Sequence, residues 1–451
     1  MKRMVAAALL ALMVGGAVFA QTSKAVWNAE KRQFQIEKGA KIRLGMDNDK
    51  VGAAIVALWD QLHPEAKGAV EFVNLGAAGA ADQITQLQGE APDVALAIDG
   101  EVSRNFQSLL PLHSVIVNAA KGFAVEPFFS GANSPKEIKF VPIAYDGMTF
   151  AWNKTMMEAL KLDTKDANKD GLPDAFDTWE EIFALAKSWQ TARPSYKGKP
   201  VNIVYPMCLD EVWSGYSNLT AAGWKIFEKK DPANPGFEQE SFRLGLEFIK
   251  AASEAMISVE ANGARTPGAS MAWRWDDALN NETAPFFLVG TWMDVVAAET
   301  KGGYDIKFGP MPTWMGVRLS PFVKTKGYII NGFTKYPSAA HELYRILYTR
   351  DGLQAMVNNS AYIPALQPKA TNVPSYRNDP NKAEMAAAFA FNYPEPSIVL
   401  PKNPIKKAMD GYYGIGVNLE LRDVWDGKKT PAEAQANLVQ LYRKWYEENN
   451  K

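Results

Sequence analysis

The sequence predicts an α/β protein built as two domains or more, and three observations predict it. The chain has 451 residues, more than a single hydrophobic core usually serves. It is 47% hydrophobic and 22% charged, ordinary globular values, so packed cores are expected and not disorder. Its apolar pattern alternates between period two and period 3.6 along most of its length, the β-α-β-α-β order of a mainly parallel sheet flanked by helices.

The elements follow in order. "KIRLGM" (41–46) reads as a strand, and "VGAAIVALWDQLHP" (51–64) as a helix with Ala, Val, Leu and Trp on one face. "AVEFVNL" (69–75) is a strand, "ADQITQLQG" (81–89) a helix and "DVALAID" (93–99) a strand. A second series begins with the strand-rich "FVPIAYDGMTFAWN" (140–153). "TWEEIFALAKSWQ" (178–190) is a helix opened by a capping box, with Thr178 as N-cap and Glu181 three places on. "PVNIVYPM" (200–207) reads as a strand, "SFRLGLEFIKAASE" (241–254) as a helix and "PFFLVG" (285–290) as a strand. "HELYRILYT" (341–349) and "PAEAQANLVQLYRKWYEEN" (431–449) are late helices. There is no short-period repeat and no low-complexity tract.

Composition excludes several functions. The formal net charge is −1, so no basic excess points to nucleic acid. Cys208 is the sole cysteine, which rules out an intramolecular disulfide and a cysteine-based zinc cluster. His63, His113 and His341 lie far apart in sequence. No G-x-S-x-G nucleophile elbow and no P-loop is present. The first twenty residues, "MKRMVAAALLALMVGGAVFA", have a basic start, an apolar run and small residues at −3 and −1 before Gln21: a secretory signal peptide, too short for a membrane span. Its removal takes Lys2 and Arg3 with it and leaves a formal charge of −3. With no cysteine at the cleavage site a lipid anchor is not expected. The mature protein is expected in a bacterial periplasm.

"DANKDGLPDAFD" (166–177) has the spacing of a calcium loop. Asp166, Asn168, Asp170, Asp174 and Asp177 stand at loop positions 1, 3, 5, 9 and 12, Gly171 at the sharp turn, and Leu172 where a backbone carbonyl serves as ligand. Oxygen donors in this pattern suit Ca²⁺, read here as a structural staple and not a sensor; no cofactor for activity is expected. The alternative is an acidic surface loop of Asx turns without metal. "MAWRWDDALNN" (271–281) sets Trp273, Arg274 and Trp275 side by side, so not all can point inward, and Trp275 is a candidate cleft residue.

Several stretches carry a resemblance: "LGMDNDKVGAA", "APDVALAIDGEV", "VPIAYDGMTFAWNKTMM", "TWEEIFALAKSW", "FFLVGTW" and the long "SPFVKTKGYIINGFTKYPSAAHELYRILYTRDGLQAMVNNSAYIPAL". In order and spacing they resemble the maltose-binding protein family of solute receptors for carbohydrate ABC importers. The resemblance implies a two-lobed periplasmic-binding-protein fold of type II with an interlobe cleft closed by hinge bending. The N-lobe would comprise 21–144 and 328–376, the C-lobe 145–327 and 377–451. It implies a monomer that binds a di- or oligosaccharide and delivers it to an inner-membrane permease. The sugar would be held by stacking rings and by paired hydrogen bonds to its hydroxyls.

By position, Asp49 and Lys50 follow the first strand, Asp99 and Glu101 the third, and Asp146 sits near the lobe crossing. Asp210, Glu211, Trp213 and Tyr216 resemble a family segment offering an acid and a ring, with the register open. Trp292 resembles the family's stacking Trp, and either Tyr412 or Tyr413 a further ring. Ala97 stands where the family has an aromatic before the acidic pair. Two other readings use the same features: an exported carbohydrate-active enzyme, for which two cleft carboxylates would suffice, and a periplasmic sensor subunit.

Overall fold

The computed structural model describes residues 25–449 apart from 103, 135, 230, 257, 260–264, 267–274, 322, 368, 378 and 393–404. The expected signal peptide, Trp273 and Arg274 lie outside the described residues.

Among the described residues, an eight-stranded sheet organises the molecule. Its strands are β1 (Ile42–Met46), β2 (Val70–Asn74), β3 (Val94–Ile98), β4 (Val141–Asn153), β5 (Phe286–Gly290), β6 (Ile306–Gly309), β7 (Val323–Ile330) and β8 (Ile363–Pro364). The order is β5-β4-β7-β3-β1-β2, with β6 and β8 also on β4. The α/β class therefore holds, with one correction. Among the described strands of this sheet, parallel pairing is confined to β1–β2 and β1–β3, while β7, β4, β5, β6 and β8 pair antiparallel. The reason is β7: it returns late in the chain and inserts between β3 and β4, so the simple β-α-β series stops at β3.

β4 is shared by both halves. Its first part pairs with β7 as far as Gly147↔Val323, and its second part pairs with β5 from Met148↔Gly290. No residue intervenes, so the chain crosses between lobes inside a continuous strand.

Strand periodicity sorts the cores. In β3, Val94 and Leu96 join one cluster with Leu44, Ile55, Trp59 and Tyr344, while Ala95 and Ala97 join another with Ile84 and Ile329 on the opposite face. Ala97 is thus wholly buried against the helix Ala80–Leu87. Its small side chain is a packing choice, and a ring there would overfill the core. The second lobe has one large core, built on β4–β6 and the helices Trp179–Ala192, Glu240–Ala255, Val417–Trp425 and Pro431–Asn449. The capping box forms as expected: Thr178 accepts from Glu181 N, and the Glu181 carboxylate accepts from Thr178 N.

The run 201–207 is not a strand. Only Lys199–Pro200 pairs, with Ser195–Tyr196. Ile203, Val204, Tyr205 and Met207 are buried, but their segment lends single contacts: Val204 O accepts from Phe286 N, and Pro206 O from Trp275. A short apolar run reports burial and cannot by itself report ladder pairing.

Candidate functional site

The carboxyl ends of β1 and β3 and the start of the antiparallel β7 lie along one sheet edge, where α/β folds place ligands. Asp47 follows β1. Its carboxylate accepts from Lys326 Nζ at 3.2 Å and from the Tyr362 hydroxyl. The same ammonium lies 4.0 Å from Asp146 Oδ1 and 4.7 Å from the centre of the Tyr362 ring. Asp146 belongs to β4 next to the crossing point, and Tyr362 leads into β8.

Asp49 opens the helix Asp49–Leu62, which Asn48 caps by accepting from Val51 N. Asp49 Oδ1 accepts from Asn74 Nδ2 at 2.6 Å, and Lys50 is exposed beside it. Asp99, after β3, accepts from Thr325 N and Oγ1 and from Gly100 N. Burial outweighs those bonds and pushes its carboxyl up to about 6. Glu101 turns inward: both its oxygens accept from Gly79 N, the left-handed residue ahead of the helix Ala80–Leu87, and Arg104 lies 3.7 Å away. Glu101 therefore orders a loop, and its carboxylate is already engaged.

The second lobe supplies rings. Trp292 follows β5, is 50% exposed, and packs edge-to-face on Trp213 with centroids 5.6 Å apart. Gly290 makes room for it, since a Cβ there would stand 2.4 Å from the indole. Trp213 in turn packs on Trp275 at 6.2 Å. Trp275 is fully buried, with its indole N–H donating to Pro206 O at 3.0 Å. Tyr216 and Tyr412 are also fully buried, 6.3 Å apart in the second core. These three are corrections: they support the wall from behind and offer no face to a ligand. Tyr413, next to Tyr412 on the helix Ile405–Gly414, is 37% exposed. Burial, and after it the charge of Asp99, push its hydroxyl above the usual tyrosine range. Asp210 pairs with Arg422 at 3.6 Å, and Glu211 is exposed at the start of the helix Val212–Leu219 without capping it.

A cavity of about 470 Å³ opens beside Trp292, bounded by Asp294 and Val296 from the second lobe and by Ser360, Asp379 and Met385. Its lining includes Ala361 and Ile363, the chain neighbours of Tyr362. Sequence reasoning did not single out Asp47, Lys326 or Tyr362, whose only local signal is polarity in or beside β1, β7 and β8.

A family model described as bacterial extracellular solute-binding protein matches residues 42–384. The chain belongs to that family. Two solved structures share the fold of this solute-binding protein. One is a cyclo/maltodextrin-binding protein complexed with maltotetraose: 19% identity, TM-score 0.66, covering 90% of this chain and 98% of that one. The other is the maltose-binding periplasmic protein MalE from Listeria monocytogenes in complex with maltose: 15% identity, TM-score 0.66, covering 92% and 99%. Among curated proteins, none matches it in sequence.

The acidic loop of this solute-binding protein adopts a tightly wound turn. Asp166 accepts from Asp170 N and Gly171 N, Asn168 from Asp170 N, Asp170 from Leu172 N, and Asp174 from Ala167 N. Gly171 has φ 95°, and a Cβ there would stand 2.6 Å from Phe308 O, so glycine is required twice over. Among the described residues no group of three or more His, Cys, Asp or Glu is arranged to hold a metal ion. Yet Asp177 Oδ1 is buried without a hydrogen-bond partner. Burial, then the charges of Asp170, Asp174 and Glu181, push the Asp177 carboxyl up to about 6. The donor set fits a hard divalent cation in kind, and the mutual repulsion is what such a cation would relieve.

Proposed function

We propose that this solute-binding protein is the receptor of an ABC importer for a di- or short oligosaccharide, held between its lobes and handed to an inner-membrane permease. The observation that carries the reading is the half-exposed Trp292, braced by Trp213, in a fold that also gathers Asp47, Lys326, Asp146 and Tyr362 at one sheet edge. A flat ring next to hydroxyl-pairing groups is the chemistry that pyranose rings need. The maltose and maltotetraose named for the two structural neighbours point the same way. Ligand would favour the closed arrangement, and the permease would read closure. Export through a cleaved signal peptide, without a lipid anchor, and action as a monomer belong to the same reading. No chemical step is assigned to the cleft.

We also propose that Asp166, Asn168, Asp170, the Leu172 carbonyl, Asp174 and Asp177 hold a structural Ca²⁺. The orphaned Asp177 oxygen supports this.

The test is a thermal-shift screen against mono- and oligosaccharides, each with calcium and with chelator. A ligand that binds only the folded state raises the melting temperature by mass action. A shift with one sugar class that persists in chelator is expected. A shift with calcium alone would reject the carbohydrate reading, and release of reducing ends from a bound sugar would move the protein to the enzymes.

A further inference from the structure

We propose that Lys326 and Asp146 form a reader for a single hydroxyl group, so that the cleft selects a ligand by one ring carbon bearing a free OH. The inference rests on the carbohydrate reading and adds the residue that sets its specificity.

The argument is a count of donors and acceptors. Lys326 has three N–H groups. One goes to Asp47 Oδ2 at 3.2 Å, and the ammonium also lies over the Tyr362 ring at 4.7 Å. Asp146 Oδ1 stands 4.0 Å from Nζ, outside hydrogen-bond reach, and among the described residues Asp146 accepts no hydrogen bond. Both groups are held firmly. Lys326 lies on β7 between β3 and β4, opposite Ile98 and Ala144, and Asp146 is part of the β4 ladder opposite Lys324. Asp47 fixes the ammonium from one side, and the Tyr362 hydroxyl fixes Asp47. Both charged side chains keep some exposure, at 15% and 25%.

An atom seated about 2.8 Å from both Nζ and Oδ1 must accept from the ammonium and donate to the carboxylate. A hydroxyl does both. A ring ether can only accept, a protonated amine can only donate, and a carboxylate would be repelled by Asp146. A deoxy carbon leaves both charged groups unserved and an O-methyl group leaves Asp146 without a donor, the cases in which discrimination is largest. The site therefore favours a neutral sugar over a uronic acid or an amino sugar at that carbon. The Asp47–Tyr362 bond ties the reader to β8, which pairs with the first half of β4.

The test has two arms. In crystals of the full-length protein, with and without maltose, an oxygen bridging Lys326 Nζ and Asp146 Oδ1 is expected: water in the first, a sugar hydroxyl in the second. Direct contact between the two side chains, with no bridging oxygen, overturns the proposal. In titrations with maltose and its monodeoxy analogues, one analogue should bind about tenfold more weakly than maltose. That analogue should lose nothing further in Lys326→Met, whose melting temperature stays near wild type. Equal affinity of wild type and Lys326→Met for maltose also overturns it. If maltose does not bind wild type at all, the sugar reading fails for that ligand, and the ligand-free crystals still decide the present one.

Discussion

The two walls of the cleft are made in opposite ways. The polar wall comes from a sheet edge: Asp47 and Asp99 at strand ends, Lys326 within β7, Asp146 within β4. Its side chains are short or tethered, and ladder pairing sets their positions. The second-lobe wall is aromatic and comes from loops and helix starts: Trp292 after β5, Trp213 in the first turn of its helix, Tyr413 near the end of another. Those rings are placed by leaning on one another, Trp292 on Trp213 and Trp213 on Trp275. Geometry on one side is inherited from backbone, on the other from packing. Substitutions should therefore act differently on the two sides.

The largest effect is expected behind the aromatic wall. Trp275→Ala removes a fully buried indole and its bond to Pro206, and should cost about 3–5 kcal/mol of stability in denaturant unfolding. A loss below about 1 kcal/mol would mean that the ring is not part of the core. Trp292→Ala should separate binding from folding: affinity for the sugar falls by about 1–3 kcal/mol while the melting temperature barely moves, because half the ring is exposed. Calorimetric titration giving unchanged affinity would remove Trp292 from the site and leave the polar wall to act alone.

On the polar side the informative variable is pH. Asp99 has a carboxyl raised by burial to about 6 from 3.8, so it contributes stability that is fully present below 3.8 and lost as pH rises through about 6. Asp99→Asn should flatten that part of the stability profile between pH 4 and 6, by roughly 1–3 kcal/mol. Parallel profiles for wild type and variant would show that Asp99 titrates as an ordinary surface acid. The smallest effect concerns neither wall. Calcium should raise the melting temperature of wild type and not of Asp170→Ala, and identical melting of wild type in calcium and in chelator rejects the staple.

Much of the fold was legible because it is written locally. The capping box at Thr178 and Glu181, the strand at 94–98 and the buried face of the helix Asp49–Leu62 each follow from spacing within one segment. What failed needed a neighbour from elsewhere. Tyr412 and Tyr413 are adjacent in sequence, yet one is buried and the other exposed, and only the position of Phe237 and Tyr216 beside the first decides which. Lys326 reads as the polar face of an ordinary half-buried strand. It becomes a site residue only because β1 ends beside it and β4 runs past it. The 201–207 run failed for the same reason: apolar content was visible, and a pairing partner was not.

The late arrival of β7 has a consequence for folding time. It fills the gap between β3 and β4, yet it follows β4 only after the whole first segment of the second lobe has been made. The first lobe cannot complete its sheet from its own opening residues, however well these pack. A chain emerging from N to C terminus would hold β3 and β4 apart until Val323–Ile330 appears, so the two lobes should mature together and slowly, as expected where long-range strand pairing dominates. A refolding experiment should find no fast phase in which the first lobe alone becomes protected from hydrogen exchange.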